Sequence, residues 1–121
     1  MRYLCNAFTI SMIPAEARAR GCAVEIVPIG DPRGPLGVPR DVVSYLGHNT
    51  DLVSALLGFA VPTNRESLQL GANDTLYVAQ YTGPRLPEGA TSLPEGATIE
   101  WFMVSWRPFY VPEGGSLPVP W

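Results

Sequence analysis

Two stretches rich in aromatic and β-branched residues decide the fold: Thr75–Tyr81 (TLYVAQY) and Thr98–Trp106 (TIEWFMVSW). Such residues favour the pleated, half-buried surface of a β-sheet. Cys22–Ile29 (CAVEIVPI) and Arg2–Ser11 (RYLCNAFTIS) have the same character, and Arg65–Leu70 fits a shorter strand. The sequence therefore predicts a mixed β-sheet of about five strands.

One main helix is predicted before the last two strands. Asp51–Leu57 (DLVSALL) follows Asn49 and Thr50, which are good N-terminal caps, and precedes Gly58, a common helix stop. The apolar residues of this segment recur every three or four positions, so they share one face. A helix packed on a sheet gives an α+β fold, and 121 residues suit a single domain.

The predicted domain occupies residues 1–106, and residues 107–121 form a C-terminal tail rich in Pro and aromatic residues. Within the domain, the sequence LPEGAT occurs twice, at 86–91 and at 93–98. A Pro followed two positions later by Gly is typical of a turn. We therefore expect two successive turns that form a protruding arm, Gly83–Gly96, between the last two strands.

Composition excludes several functions. The net charge of −3 argues against binding of polymeric nucleic acid. The apolar runs are too short to cross a bilayer and there is no leader with a cleavage site, so we expect a soluble cytoplasmic protein without a membrane partner. His48 is the only histidine, and Cys5 and Cys22 lack metal-ligand spacing, so neither a metal site nor a cofactor is predicted. No phosphate-binding loop, dinucleotide fingerprint or nucleophile elbow is present.

Phosphate contacts are predicted beside the helix and on the arm. His48 lies just before the helix cap, where free backbone N–H groups and the helix dipole attract anions. All eight basic residues are Arg, whose planar forks suit a small phosphate ligand. Arg65 and Arg85 are the candidates for that contact. Taken alone, each of these residues fits an ordinary local hydrogen bond or a solvent contact better than a ligand contact.

Other polar and aromatic residues suit the rest of a nucleotide. Asn64 and Gln80 carry the donors and acceptors needed for a base or ribose edge. Glu88 suits ribose hydroxyls or proton transfer. Phe8, Tyr81, Trp101 and the aromatic residues of the tail are candidates for stacking on adenine, although most aromatic residues are expected in the core.

Four segments resemble, in order, a family of small viral proteins that bind cyclic nucleotide signals. They are YLCNAFTISM (3–12), YLGHNTDLVSALLG (45–58), VPTNRESLQL (61–70) and DTLYVAQYTGPRLPEG (74–89), and the resemblance covers most of residues 3–105. One branch of that family contains the ring nucleases that act as type III anti-CRISPR proteins by degrading cyclic tetra-adenylate. The other contains phage anti-Thoeris sponges, which sequester glycocyclic ADP-ribose made by TIR-domain enzymes; related members also hold cyclic trinucleotides.

The resemblance implies a role for several residues. His48 matches the general acid or base of the nucleases, and Arg65 matches a phosphate-contacting Arg. Arg85 and Glu88, in the sequence RLPEG, match the phosphate-binding and catalytic residues of the arm. Asn6 matches an Asn of the first strand near the bound ligand.

The arm is more similar to that of the sponges. The nucleases have a Leu-Thr-x-Glu-Glu segment that opens a further helix, whereas this chain reads GPRLPEGATSLPEGATIEW and continues in a strand. The resemblance thus implies a phage-encoded homodimer or hexamer of the host cytoplasm. Such a protein sequesters glycocyclic ADP-ribose, or cyclic trinucleotides, between its subunits without cleaving them. The alternatives are a metal-independent ring nuclease with His48 and Glu88 as catalytic residues, and a module that binds a protein partner.

Overall fold

The computed structural model describes residues 1–109, so most of the predicted tail, residues 110–121, lies outside the described part of the chain. The elements are β1 (Arg2–Cys5), a 3₁₀ turn (Ile10–Met12), α1 (Ala15–Arg20), β2 (Cys22–Ile29), β3 (Val43–Ser44), α2 (Thr50–Leu57), β4 (Thr75–Thr82) and β5 (Thr98–Pro108). The five strands form one sheet in the order β2-β5-β4-β1-β3. β1 is parallel to β3 and β4, whereas β5 is antiparallel to β4 and β2. The prediction of an α+β domain with a mixed sheet and one main helix is confirmed.

The sheet is covered on both faces. α2 covers one face, where Leu4, Val53 and Trp101 belong to one buried cluster. The irregular segments around Ile13 and Leu70 cover the opposite face. Because neither face is open there, β4 is buried at four successive positions instead of at alternate ones.

The predicted strand at Arg65–Leu70 is wrong. Its alternating Leu68 and Leu70 are buried, but they belong to an irregular segment that packs on the sheet. Trp106 Nε1 donates to Leu70 O at 2.9 Å, so a side chain takes the place of a strand partner there. The fifth strand of the sheet is instead β3, whose two residues pair with β1.

The other boundaries differ less. The first strand ends at Cys5 and not at Ser11, because the chain turns at Asn6 and enters the 3₁₀ turn. The last strand continues to Pro108, two residues past the predicted domain boundary. No helix within residues 1–109 is both long enough and apolar enough to span a membrane.

The arm consists of two turns. The N–H of Ala90 donates to Pro87 O at 3.2 Å, and the N–H of Ala97 donates to Pro94 O at 3.1 Å. Gly89 and Gly96 have φ values of 80° and 82°, a left-handed conformation that residues with a Cβ adopt only with strain. The repeated sequence therefore makes the same turn twice.

Candidate functional site

The carboxyl ends of the parallel strands β1, β3 and β4 meet at one edge of the sheet. Asn6 follows β1, the segment 45–49 leads from β3 into α2, and the arm follows β4. This edge is where ligands commonly bind in open sheets that contain parallel strands. The topology therefore brings together segments that are far apart in the sequence.

A cavity of about 1110 Å³ lies at this edge, between the start of α2 and the arm. The stacking candidate Tyr81 lines it, and so do four of the predicted polar site residues: His48, Arg65, Arg85 and Glu88. All four side chains are exposed to solvent. The cavity is slightly larger than the roughly 300–1,000 Å³ of ordinary small-molecule sites.

Asn6 holds the loop that carries His48. Its Oδ1 accepts hydrogen bonds from the N–H groups of Gly47 and His48, at 2.8 and 3.3 Å, and its Nδ2 donates to His48 O at 3.1 Å. Asn6 does not itself line the cavity. Its observed role is to position the loop behind the cavity wall.

Ser44 and Asn64 join the loop after β3 to the segment after α2. The buried Ser44 hydroxyl donates to Pro62 O at 2.5 Å and accepts from the N–H of Leu46 at 3.2 Å. Asn64 Nδ2 donates to Ser44 O at 3.1 Å. Asn64 therefore fixes the backbone that precedes Arg65, and like Asn6 it does not line the cavity.

Arg65 is held along one edge of its guanidinium. Its Nε donates to Gly47 O at 2.9 Å. Within residues 1–109 its two terminal nitrogens have no hydrogen-bond or ion-pair partner. The bond to Gly47 restricts the side chain while leaving those donors available to a ligand.

The start of α2 also faces the cavity. Asn49, one of the two predicted caps, occupies the N-cap position of α2, but its backbone is left-handed and its side chain makes no cap hydrogen bond. Thr50 instead shares a 2.6 Å hydroxyl–hydroxyl hydrogen bond with Thr63. Thr50, Asp51 and Thr63 all line the cavity.

The arm forms the opposite wall. Arg85 and Glu88 make no hydrogen bond or ion pair with any of residues 1–109. The nearest fixed point is Tyr81, whose hydroxyl donates to Pro84 O at 2.6 Å. Two guanidinium groups, Arg65 and Arg85, thus share the cavity with two carboxylates, Asp51 and Glu88.

Phe8 and Gln80 lie away from the cavity. Phe8 packs against the buried cluster on the face opposite α2. Gln80 is exposed, and the alternation of side chains along β4 directs it away from the face that Tyr81 occupies. Within residues 1–109, no group of three or more His, Cys, Asp or Glu residues is placed to hold a metal ion.

Sequence reasoning missed part of the lining. Asp51 was named only as the first residue of the predicted helix, and Thr63 was not singled out by any pattern. Tyr81 was weighed for stacking, but its bond to the arm depends on the bend at Gly83, which no residue pattern specified.

Comparisons with known proteins place this fold in a family. The model of the STIV B116-like family matches residues 2–100. Among solved structures, the chain is similar to B116 of Sulfolobus turreted icosahedral virus, with 21% identity and a TM-score of 0.60 over 86% of this chain and 97% of that one. At this identity the likeness shows a shared fold. No curated protein matches the chain. Since the family model matches most of the sequence, the chain belongs to the STIV B116-like family, which takes its name from a viral protein.

Proposed function

We propose that this protein is a viral anti-defence protein that binds and sequesters a cyclic nucleotide immune signal without cleaving it. The observation that carries the proposal is that Arg65, Arg85 and the start of α2 line the same cavity. Guanidinium forks and the N-terminus of a helix are the groups in proteins best suited to phosphate oxygens. The two Arg residues come from separate segments, so the cavity can hold a diphosphate from two sides.

The signal we favour is glycocyclic ADP-ribose, made by the TIR-domain enzymes of Thoeris defence. Its pyrophosphate lies between Arg65 and Arg85, and its ribose hydroxyls donate to Asp51 and Glu88, whose carboxylates accept such bonds. Its adenine stacks on Tyr81, a contact typically worth about 1–3 kcal/mol per base. Cyclic trinucleotides are a second possible cargo.

A ligand in this open cavity would stay partly exposed to solvent unless another part of the protein covered it. In this proposal the protein is a homodimer or a hexamer, the signal lies between subunits, and the arm acts as a lid. The four predicted ligand contacts are exposed in one subunit. Because a tightly held ligand buries most of its surface, this exposure supports a second subunit or the arm as the cover.

The test is retention followed by recovery. Purified protein is mixed separately with glycocyclic ADP-ribose, a cyclic trinucleotide and cyclic tetra-adenylate, and the free ligand is measured by chromatography before and after heat denaturation. We expect glycocyclic ADP-ribose to be depleted from solution and then recovered intact on heating. Recovery of a cleaved product, or no depletion, would reject the sponge.

A second candidate is a metal-independent ring nuclease, favoured by the presence of His48 and Glu88 in one cavity. In such an enzyme a ribose 2′-hydroxyl of cyclic tetra-adenylate loses its proton to one of these groups and attacks the adjacent phosphorus. The bond to the 5′-oxygen breaks, and the other group donates a proton to that oxygen, which leaves a 2′,3′-cyclic phosphate and a 5′-hydroxyl. His48→Ala should abolish turnover, and unchanged turnover would count against the nuclease.

A further inference from the structure

Tyr81 connects the sheet to the arm. It lies near the end of β4, opposite Ile99 of β5, and its half-buried ring lines the cavity. Its hydroxyl donates to Pro84 O at 2.6 Å. Within residues 1–109 this is the only side-chain hydrogen bond that involves the arm. The sheet therefore holds the arm at one defined backbone atom.

The root of the arm is crowded around this bond. A Cβ added at Gly83 would lie 2.7 Å from Ala97 Cβ and 2.9 Å from the Tyr81 hydroxyl, so only glycine fits there without displacing its neighbours. The two ends of the arm thus meet beside the Tyr81 hydroxyl. Arg85 directly follows Pro84, so the bond to Pro84 also sets the point from which the Arg85 side chain begins.

We propose that Tyr81 is a positioning residue that, through Pro84, holds Arg85 over the cavity shared with Arg65. This inference rests on the proposed function, because it assigns Tyr81 the task of placing one of the two phosphate contacts. Arg85 has no partner among residues 1–109 that could place it otherwise. Fixing the backbone before the ligand arrives lowers the entropy that binding must remove.

The first test uses Tyr81→Phe, which removes the hydroxyl and keeps the ring. In the free protein we expect faster hydrogen exchange at the backbone amides of Gly83–Gly96, with little change in melting temperature. Binding of glycocyclic ADP-ribose should weaken about 3- to 10-fold, the effect of losing one neutral hydrogen bond. Tyr45→Phe is the matched control, because the Tyr45 hydroxyl makes no hydrogen bond within residues 1–109.

The second test separates positioning from direct contact. If Tyr81 acts through Arg85, Tyr81→Phe should cause no further loss of affinity in a protein that already carries Arg85→Ala. An equal fold-loss in both backgrounds would overturn the inference. If the unmodified protein binds no glycocyclic ADP-ribose, the proposed function fails, but exchange still tests the anchor: unchanged exchange in the arm of Tyr81→Phe would refute it.

Discussion

The two walls of the cavity are built in different ways. The wall that carries His48 and Arg65 is tied to the sheet through Asn6 and a second set of hydrogen bonds centred on the buried Ser44. Among residues 1–109, the arm wall is tied by a single side-chain hydrogen bond, from Tyr81. One wall is therefore held at several points before a ligand binds, whereas the arm is held by a side chain only at its root, through Pro84.

The largest effect is expected when the hydrogen bonds of the fixed wall are removed. Asn6→Ala removes three hydrogen bonds and leaves the N–H groups of Gly47 and His48 without their acceptor. At about 1 kcal/mol for each bond, we expect the free energy of unfolding to fall by about 3 kcal/mol. Chemical denaturation measures it.

Asn73→Ala is the control for that experiment. Asn73 lies in an exposed turn, and its side chain makes no hydrogen bond within residues 1–109. It should unfold like the unmodified protein. A loss below about 0.5 kcal/mol in Asn6→Ala would show that the loop is not held as we describe.

Substitution of the two Arg residues should have the same effect on affinity and different effects on stability. Arg65→Ala and Arg85→Ala should each weaken binding of glycocyclic ADP-ribose about 10- to 100-fold, as expected for charge-assisted contacts worth about 1.5–3 kcal/mol. Only Arg65→Ala should also lower the melting temperature, because Arg65 Nε donates to Gly47 O. Calorimetry measures both quantities.

Arg107→Ala controls for the change in net charge. Arg107 is exposed near the end of β5, and it does not line the cavity. Its substitution should leave affinity unchanged. A melting temperature lowered as much by Arg85→Ala as by Arg65→Ala would contradict the contrast between the walls.

The pH dependence of stability tests the fixed wall, because Cys5, the residue before Asn6, carries a buried thiol. Burial raises the pKa of its thiol to about 12, and a backbone hydrogen bond at Ala7 opposes this shift only in part. In the unfolded chain the thiol ionises near its ordinary pKa of 9.0. The buried protonated thiol therefore contributes fully to the free energy of unfolding below pH 9. Between pH 9 and pH 12 the free energy of unfolding falls by about 1 kcal/mol per pH unit.

Denaturation at pH 8 and pH 10.5 measures this slope. Cys5→Ala should flatten it, whereas Cys22→Ala, on the edge strand β2, should retain it. Equal slopes in all three proteins would show that the Cys5 thiol is already accessible to solvent in the folded state.

The smallest effect is expected from shortening the arm. Deleting residues 86–92 removes one copy of the repeat and leaves Arg85 followed directly by the second Leu-Pro-Glu-Gly. Since the deleted copy makes no hydrogen bond with the sheet in the described part of the chain, the free energy of unfolding should not change. Dissociation of glycocyclic ADP-ribose should become about 3-fold faster, because less of the lid remains to order over the ligand. Unfolding of the deletion variant would show that the arm is part of the core.

The sequence predicted the elements whose own residues determine them. β2, β4, β5 and α2 carry enough aromatic, β-branched or periodic apolar residues to be recognised. β3 was missed because two residues carry no pattern, and they become a strand only by pairing with β1. Leu68 and Leu70 alternate like a strand because they cover the second face of the sheet.

The candidate site was predictable in part for a similar reason. His48, Arg65, Arg85 and Glu88 were recognised by residue type and by family resemblance, and all four line the cavity. Asn6 was recognised through the family resemblance and Asn64 through its polar side chain, but their bonds to backbone groups 42 and 20 residues away depend on the folded topology. Ligand contact by any of these residues stays a prediction.

We propose that Arg65 and Arg85 together bind the diphosphate of one ligand in one cavity. Calorimetric titration measures this binding. Glycocyclic ADP-ribose is titrated into the unmodified protein and into the double variant Arg65→Ala, Arg85→Ala. We expect saturable binding in the first and no measurable binding in the second. Unchanged affinity in the double variant, or no binding to the unmodified protein, would contradict it.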